Sequence, residues 1–244
     1  MVTATQKRNA RIERVERGQT NLIVPYNSGE LVYVHRRVGP GNYREVGSRI
    51  LKQGLLVPTG DYTAPLVHSA YCDDEVKNEP EFESVRETMK NRWLWVFNRN
   101  LWTDKGVYVF QDLEAEGLSE PLNLNELEKS LKGGREFNGI RFSEDGRVRF
   151  APKELYVLGE HTPSYLSKDG FIIASFGKDG AEKIGKVSSK FRYHPVIDGV
   201  DVQEEGKVKQ RVSVLNVGLS DCWLWFYGVS LDVDRGGFAF GVRS

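Results

Sequence analysis

The sequence predicts an α+β fold in which short strands and packed helices are mixed along the chain. Three observations carry that prediction. Residues 139–150 (GIRFSEDGRVRF) form two alternating runs around Asp145 and Gly146, the pattern of a hairpin with a two-residue type I′ turn. Residues 78–91 are charged and amphipathic, with Phe82, Val85 and Met89 recurring at helical spacings of 3 and 4. Residues 211–244 hold strand-like ends, with Val212, Val214 and Leu215 at one end and 238–242 (FAFGV) at the other. The Gly-, Asp-, Ser- and aromatic-rich run between those ends has neither period.

Composition narrows the function classes. A chain of 244 residues, 39% hydrophobic and 28% charged, can bury a substantial core. It is read as a single domain over 1–244 with an N-terminal arm over about 1–29. Thirty-four basic and 34 acidic residues give net charge +0, which argues against a general nucleic-acid partner, whose phosphates need excess Lys and Arg. The N-terminal residues are charged where a secretory signal needs an apolar run, and no apolar run is long enough to span a membrane. The expected location is the cytoplasm or a virus particle assembled there. Cys72 and Cys222 are far apart with no CxxC, so neither a zinc site nor a disulfide framework is expected.

Taken in order, residues 5–17 alternate charges at helical spacing and predict a short solvated helix or arm, the interleaved acids arguing against a basic arm for nucleic acid. Residues 30–34 (ELVYV) predict a strand. Val46, Ile50 and Leu51 predict a helix over 43–53 with Gly54 at its C-terminal end. Asp61 or Thr63 can cap a helix running to Tyr71. The apolar run 92–97 (RWLWVF) reads as the centre of the core, and its contiguity favours packing over base stacking. A strand is expected over 106–110, a helix over 123–131 capped by Asn123 or Asn125, and a short helix over 162–166. Residues 171–176 (FIIASF) predict a strand, followed by a helix from Gly180 or Ala181 to about Lys190. Residues 198–209 are polar and predict a loop leading into the closing β-region.

Lys, Glu, Gln and Met occur 44 times in the first 210 residues, so about seven are expected in the last 34, and there are none. The ending 236–243 (GGFAFGVR) resembles the C-terminus of variable proteins of diversity-generating retroelements, especially archaeal members. Looser likeness runs through 55–64 (LLVPTGDYTA), 93–102 (WLWVFNRNLW) and 169–174 (DGFIIA). That resemblance implies a C-type-lectin fold of the formylglycine-generating-enzyme-like kind, with 211–244 as the variable region. In that family an error-prone reverse transcriptase rewrites adenines in Asn-type codons, and the resulting codons cannot encode Lys, Glu, Gln, Met or Trp.

The resemblance implies a ligand-binding protein, not an enzyme, that needs no cofactor. It implies diversified positions at Asn216, Val217, Leu219, Ser220, Asp221, Cys222, Phe226, Tyr227, Val229, Ser230, Val233 and Arg235. Trp225 and Trp223 are then framework residues, with Trp225 adding contact area. Aromatic rings and short polar side chains together suit a protein or glycan ligand, as in an antibody paratope. Gly218, Gly228, Gly236 and Gly237 read as framework turns. Val212, Val214, Phe238 and Phe240 should be buried, and most of 219–222 and 229–233 accessible.

Other chemistries are weaker. Residues 180–186 match GxxxxGK from Gly180 to Lys186, but Val187 stands where Mg²⁺ needs Ser or Thr, and Glu182 would repel phosphate. A nucleotide-dependent enzyme on that segment is one alternative, and an oligomerising structural subunit is another. His68, seven residues after Asp61, suggests an acid–base pair but has no nucleophile nearby in sequence. The histidines show no metal-ligand spacing. Asp221, Asp232 and Asp234 are the one candidate Ca²⁺ set, and no obligatory metal is expected.

Overall fold

The charged start of the chain forms strands. The computed structural model describes residues 9–15, 19–218, 223–230 and 236–243. Strand β1 (Arg11–Val15) pairs antiparallel with β2 (Gln19–Tyr26), which pairs with β3 (Gly29–Val34). The helix expected over 5–17 is therefore a strand within its described part. Its charges are used across strands, Arg11 donating to Glu30 at 2.5 and 2.9 Å and Asn21 to Glu13 at 3.0 Å. Ala10, Leu22 and Val24 enter the main core, so the described part of the expected arm is packed into the body.

After β4 (Val38–Gly41) come α1 (Tyr43–Lys52), α2 (Gly60–Cys72) and α3 (Pro80–Asn91). Asn42 and Glu45 form a reciprocal capping box on α1. The N-cap position of α2 is Thr59, which makes no side-chain capping bond, rather than Asp61 or Thr63; Thr63 bonds back to the Pro58 carbonyl, and Asp61 is held by Gln111 and Arg149. Strand β5 (Leu94–Thr103) is buried along its whole length, as expected of a central strand, and turns into β6 (Gly106–Gln111).

Helix α4 (Leu124–Ser130) is capped by Asn123, and strands β7 (Arg135–Phe137), β8 (Ile140–Phe142) and β9 (Val148–Pro152) follow. The expected hairpin is β8–β9, but its loop is wider than two residues. Phe142 pairs with Arg149, and Gly146 takes the left-handed conformation while Asp145 does not. Asp145 instead accepts hydrogen bonds from Ser143 and Arg147, closing a longer turn.

Strand β10 (Gly159–Glu160) and helix α5 (Pro163–Leu166) lead to α6 (Gly170–Ser188). The strand expected over 171–176 is the first half of this helix. A short, fully apolar run has no period that separates a buried strand from a buried helix. The local signal is Asp169, whose Oδ1 accepts from the Phe171 and Ile172 amides at 2.9 and 3.2 Å. Gly177, at φ +71°, kinks α6, and the carbonyls of Ala174 and Ser175 are taken by Arg149 at 3.1 Å and Asn98 at 2.9 Å.

Strands β11 (Val196–Asp198), β12 (Val208–Val217), β13 (Leu224–Val229) and β14 (Gly237–Ala239) complete the chain. The large sheet runs β10-β11-β13-β12-β5-β6-β9-β8-β7, with β14 joining β5 and β4 at one end. One face packs on α2 and α6 through Phe171, Phe176, Leu215 and Phe226. The other packs on α1 through Val212, Val214, Trp95 and Tyr43. Val212, Val214, Phe238 and Phe240 are all buried, as expected. Val242 bridges Tyr33 and Leu56, so the last described residues lock the first sheet to the body. No described helix is long and apolar enough to cross a membrane.

Candidate binding surface

Strand pleat separates the closing β-region into core and surface. Successive side chains of β13 point to opposite faces. Leu224 and Phe226 face the helices, and Phe226 is 2% exposed with its ring 5.1 Å from that of Phe171 and 5.0 Å from that of Phe176. Val217, which pairs with Leu224, is also 2% exposed. Val217 and Phe226 are thus core residues, which corrects their expected place on a displayed surface. Sequence reasoning missed this because no register was available to say which alternate residues face inward.

Trp225, Tyr227 and Val229 point to the opposite face and are half-buried, Tyr227 and Val229 packing at the edge of the core on the α1 side, and Ser230 is exposed. The Trp225 and Tyr227 rings stack with centroids 5.1 Å apart and an interplanar angle of 10°. Asn216 pairs with Trp225 and shares its face, but its amide is engaged. Asn216 Nδ2 donates to the carbonyls of Met89 at 3.0 Å and Arg92 at 2.8 Å, closing the C-terminal end of α3. Leu219, Ser220, Asp221, Cys222, Val233 and Arg235 lie outside the described residues, as do Asp232 and Asp234.

These strands and the end of α3 enclose an open groove of about 880 Å³. Trp223, Trp225 and Tyr227 line it from the closing strands, and Lys90, Asn91, Arg92 and Trp93 from the end of α3 and just after it. Pro40, Gly236 and Phe238 also line it. Trp223 stacks on Tyr193 at 4.5 Å, and Arg37 lies over the Phe238 ring at 4.4 Å. Trp93 and the end of α3 were absent from the sequence-based site. Trp93 lies within a run read as core and, two residues from buried Trp95, shares its face, so alternation gave no signal that separates the two.

Two of the framework glycines lie close to indole rings. A Cβ on Gly237 would lie 2.4 Å from Trp95 Nε1, and one on Gly218 would lie 3.2 Å from Trp225 Nε1. Neither residue adopts a left-handed conformation; the close approach of the Trp95 indole requires glycine at 237, whereas at 218 the Trp225 ring would have to give by a few tenths of an ångström.

The other candidate chemistries do not assemble. Gly180, Lys186 and the residues between them lie inside α6 as a helical segment, not as the glycine-rich loop between strand and helix that wraps a phosphate. Asp61 does not pair with His68. Its carboxylate accepts from Arg149 Nη1 and Gln111 Nε2, each at 2.8 Å. Burial, and then Lys183 and Lys186, push the His68 pKa down. Among the described residues, no group of three His, Cys, Asp or Glu side chains could hold a metal ion.

Fold and surface together define an α+β protein with an aromatic groove beside its closing strands. The sequence matches no protein-family model and no curated protein. Among solved structures, the chain is similar to one from Nanoarchaeota in which massive sequence variation is accommodated by the C-type lectin fold. That likeness covers 85% of this chain and 96% of that chain, at 11% identity and a TM-score of 0.46.

Proposed function

We propose that this chain is a ligand-binding protein of C-type-lectin architecture, not an enzyme, and that the groove beside β13 is its binding site. The observation that carries the reading is the division of one strand between two roles. Leu224 and Phe226 hold the core while Trp225 and Tyr227 line an open groove. A surface built this way exchanges its outer side chains at little cost to the scaffold, since exposed substitutions usually change stability by less than about 0.5 kcal/mol. Rigid aromatic rings give contact area at low entropic cost, which suits a protein or glycan ligand.

The absence of Lys, Glu, Gln and Met from 211–244 supports diversification of this segment by a retroelement. The proposed variable positions are Tyr227, Val229 and Ser230, together with Leu219, Ser220, Asp221, Cys222, Val233 and Arg235. Asn216 joins them only at the cost of its bonds to α3.

Deep sequencing of the encoding locus across a source population tests this reading. Substitutions should concentrate at adenine-containing codons of these positions and spare those of Val217 and Phe226. A near-copy of the segment's DNA should lie beside a reverse-transcriptase gene. Uniform conservation of 211–244, or equal variation at Phe226 and Tyr227, would overturn the proposal.

A further inference from the structure

We infer a second binding site, at the break in α6, for a small organic anion whose apolar body carries a carboxylate or phosphate group. A cavity of about 410 Å³ lies there, lined from β2, α2, α6 and β7 to β9, and it shares no lining residue with the groove. Its size is that of a small-molecule site. Phe142 and Phe176, both buried, and Tyr26 and Phe137, both half-buried, give it apolar walls. The break itself is held by a buried ion pair. Arg149 takes the Ala174 carbonyl while bonding Asp61, and a Cβ on Gly177 would lie 3.2 Å from Asp61 Oδ1. A buried pair gains little stability over apolar packing, so its presence beside a cavity points to a role in binding.

The polar groups decide which ligand fits, because the inner carboxylate is taken while donors remain. Asp61 accepts from Arg149 and from Gln111. Arg149, 4% exposed, spends four of its five guanidinium hydrogens on Gly146, Ala174 and Asp61, which leaves one on Nη2. Lys183 is half-buried and makes no hydrogen bond or ion pair among the described residues. It also lines a neighbouring hollow, but the acids there are engaged elsewhere, Asp74 with Lys77 and Glu75 with Asn9. The exposed charges in the cavity lining balance, Arg135 and Lys178 against Glu136 and Asp179, and water screens them. A half-buried ammonium next to aromatic walls makes charge-assisted bonds to carboxylate or phosphate oxygens, and a cationic ligand would find Asp61 already filled.

Ligand-observed NMR and calorimetry on the folded chain test the inference with four aromatic probes. Indole-3-acetate and phenyl phosphate are the anions, tryptamine the cation and 3-methylindole the neutral control. At least one anion should bind about tenfold more tightly than tryptamine or 3-methylindole, the difference made by one charge-assisted hydrogen bond. The tighter anion names the head group. Lys183→Gln should abolish this preference, and Phe137→Ala should weaken every probe that binds, with thermal melts verifying that both variants are folded. Trp225→Ala in the groove and Lys7→Ala/Arg8→Ala near the chain start should change neither. Equal affinity for all four probes, or no binding of either anion, would overturn the inference. So would a preference that survives Lys183→Gln but is lost in Lys7→Ala/Arg8→Ala, or binding lost in Trp225→Ala.

Discussion

Phe226 and Tyr227 are adjacent aromatic residues in the same segment, and the structure assigns them opposite roles. Truncating each to alanine measures the difference. The Phe226 ring is fully packed between Phe171 and Phe176, so Phe226→Ala loses its transfer free energy and leaves a cavity that those rings cannot fill without moving. Such truncations cost about 3–5 kcal/mol. Tyr227 is half-buried, stacks on Trp225 and packs at the edge of the core on the α1 side, so Tyr227→Ala should cost about 1–2 kcal/mol, the scale of one aromatic pair plus partial apolar burial. Equilibrium urea unfolding followed by circular dichroism reads both values, provided the denaturant slopes match. The binding measurement should run the other way, with Tyr227→Ala losing affinity for a groove ligand. Equal costs, or a cost for Phe226→Ala below about 1 kcal/mol, would refute the division of β13 into core and surface.

Asn216→Ala removes both donors that close α3 and should cost about 1–3 kcal/mol, with faster amide exchange confined to residues near 88–92. Asp169 is buried at the start of α6, and burial raises its pKa to about 6 despite three backbone amides that favour the ionised form. Its folded pKa lies above the ordinary value of 3.8, so the stabilisation gained on protonation is fully present below pH 3.8 and is lost as pH rises through about 6. The stability of the parent relative to Asp169→Asn should therefore fall between about pH 4 and pH 7, by an amount on the order of 3 kcal/mol, as read by chemical unfolding at each pH. A flat difference would place the carboxyl in water. Chelation with EDTA should leave the melting temperature unchanged, and a drop of several degrees would restore a metal role for Asp221, Asp232 and Asp234.

The sequence by itself determined whatever depends on near neighbours. Helix α3 follows from the spacing of Phe82, Val85 and Met89, and α4 from the Asn123 cap. The β8–β9 hairpin follows from two alternating runs around Asp145 and Gly146, and β5 from an apolar run of aromatic and β-branched residues. The unusual composition of 211–244 also marked the closing strands as the place to look for a site. Tertiary structure decided the rest. The run 171–176 is buried all round, and its apolar composition suits either structure, so only its packing against α2 and the sheet, added to the local Asp169 cap, makes it a helix. Which of Trp225, Phe226 and Tyr227 meets solvent depends on the register of β13 against β12 and on the helices covering one face of that sheet. Four of the groove's lining residues, Lys90 to Trp93, come from the end of α3 and the residues just after it, more than a hundred residues earlier in the chain, joined to β12 by the two hydrogen bonds of Asn216. No local pattern encodes such a junction, because a side chain's period states which face it shares with its neighbours but not what that face will meet.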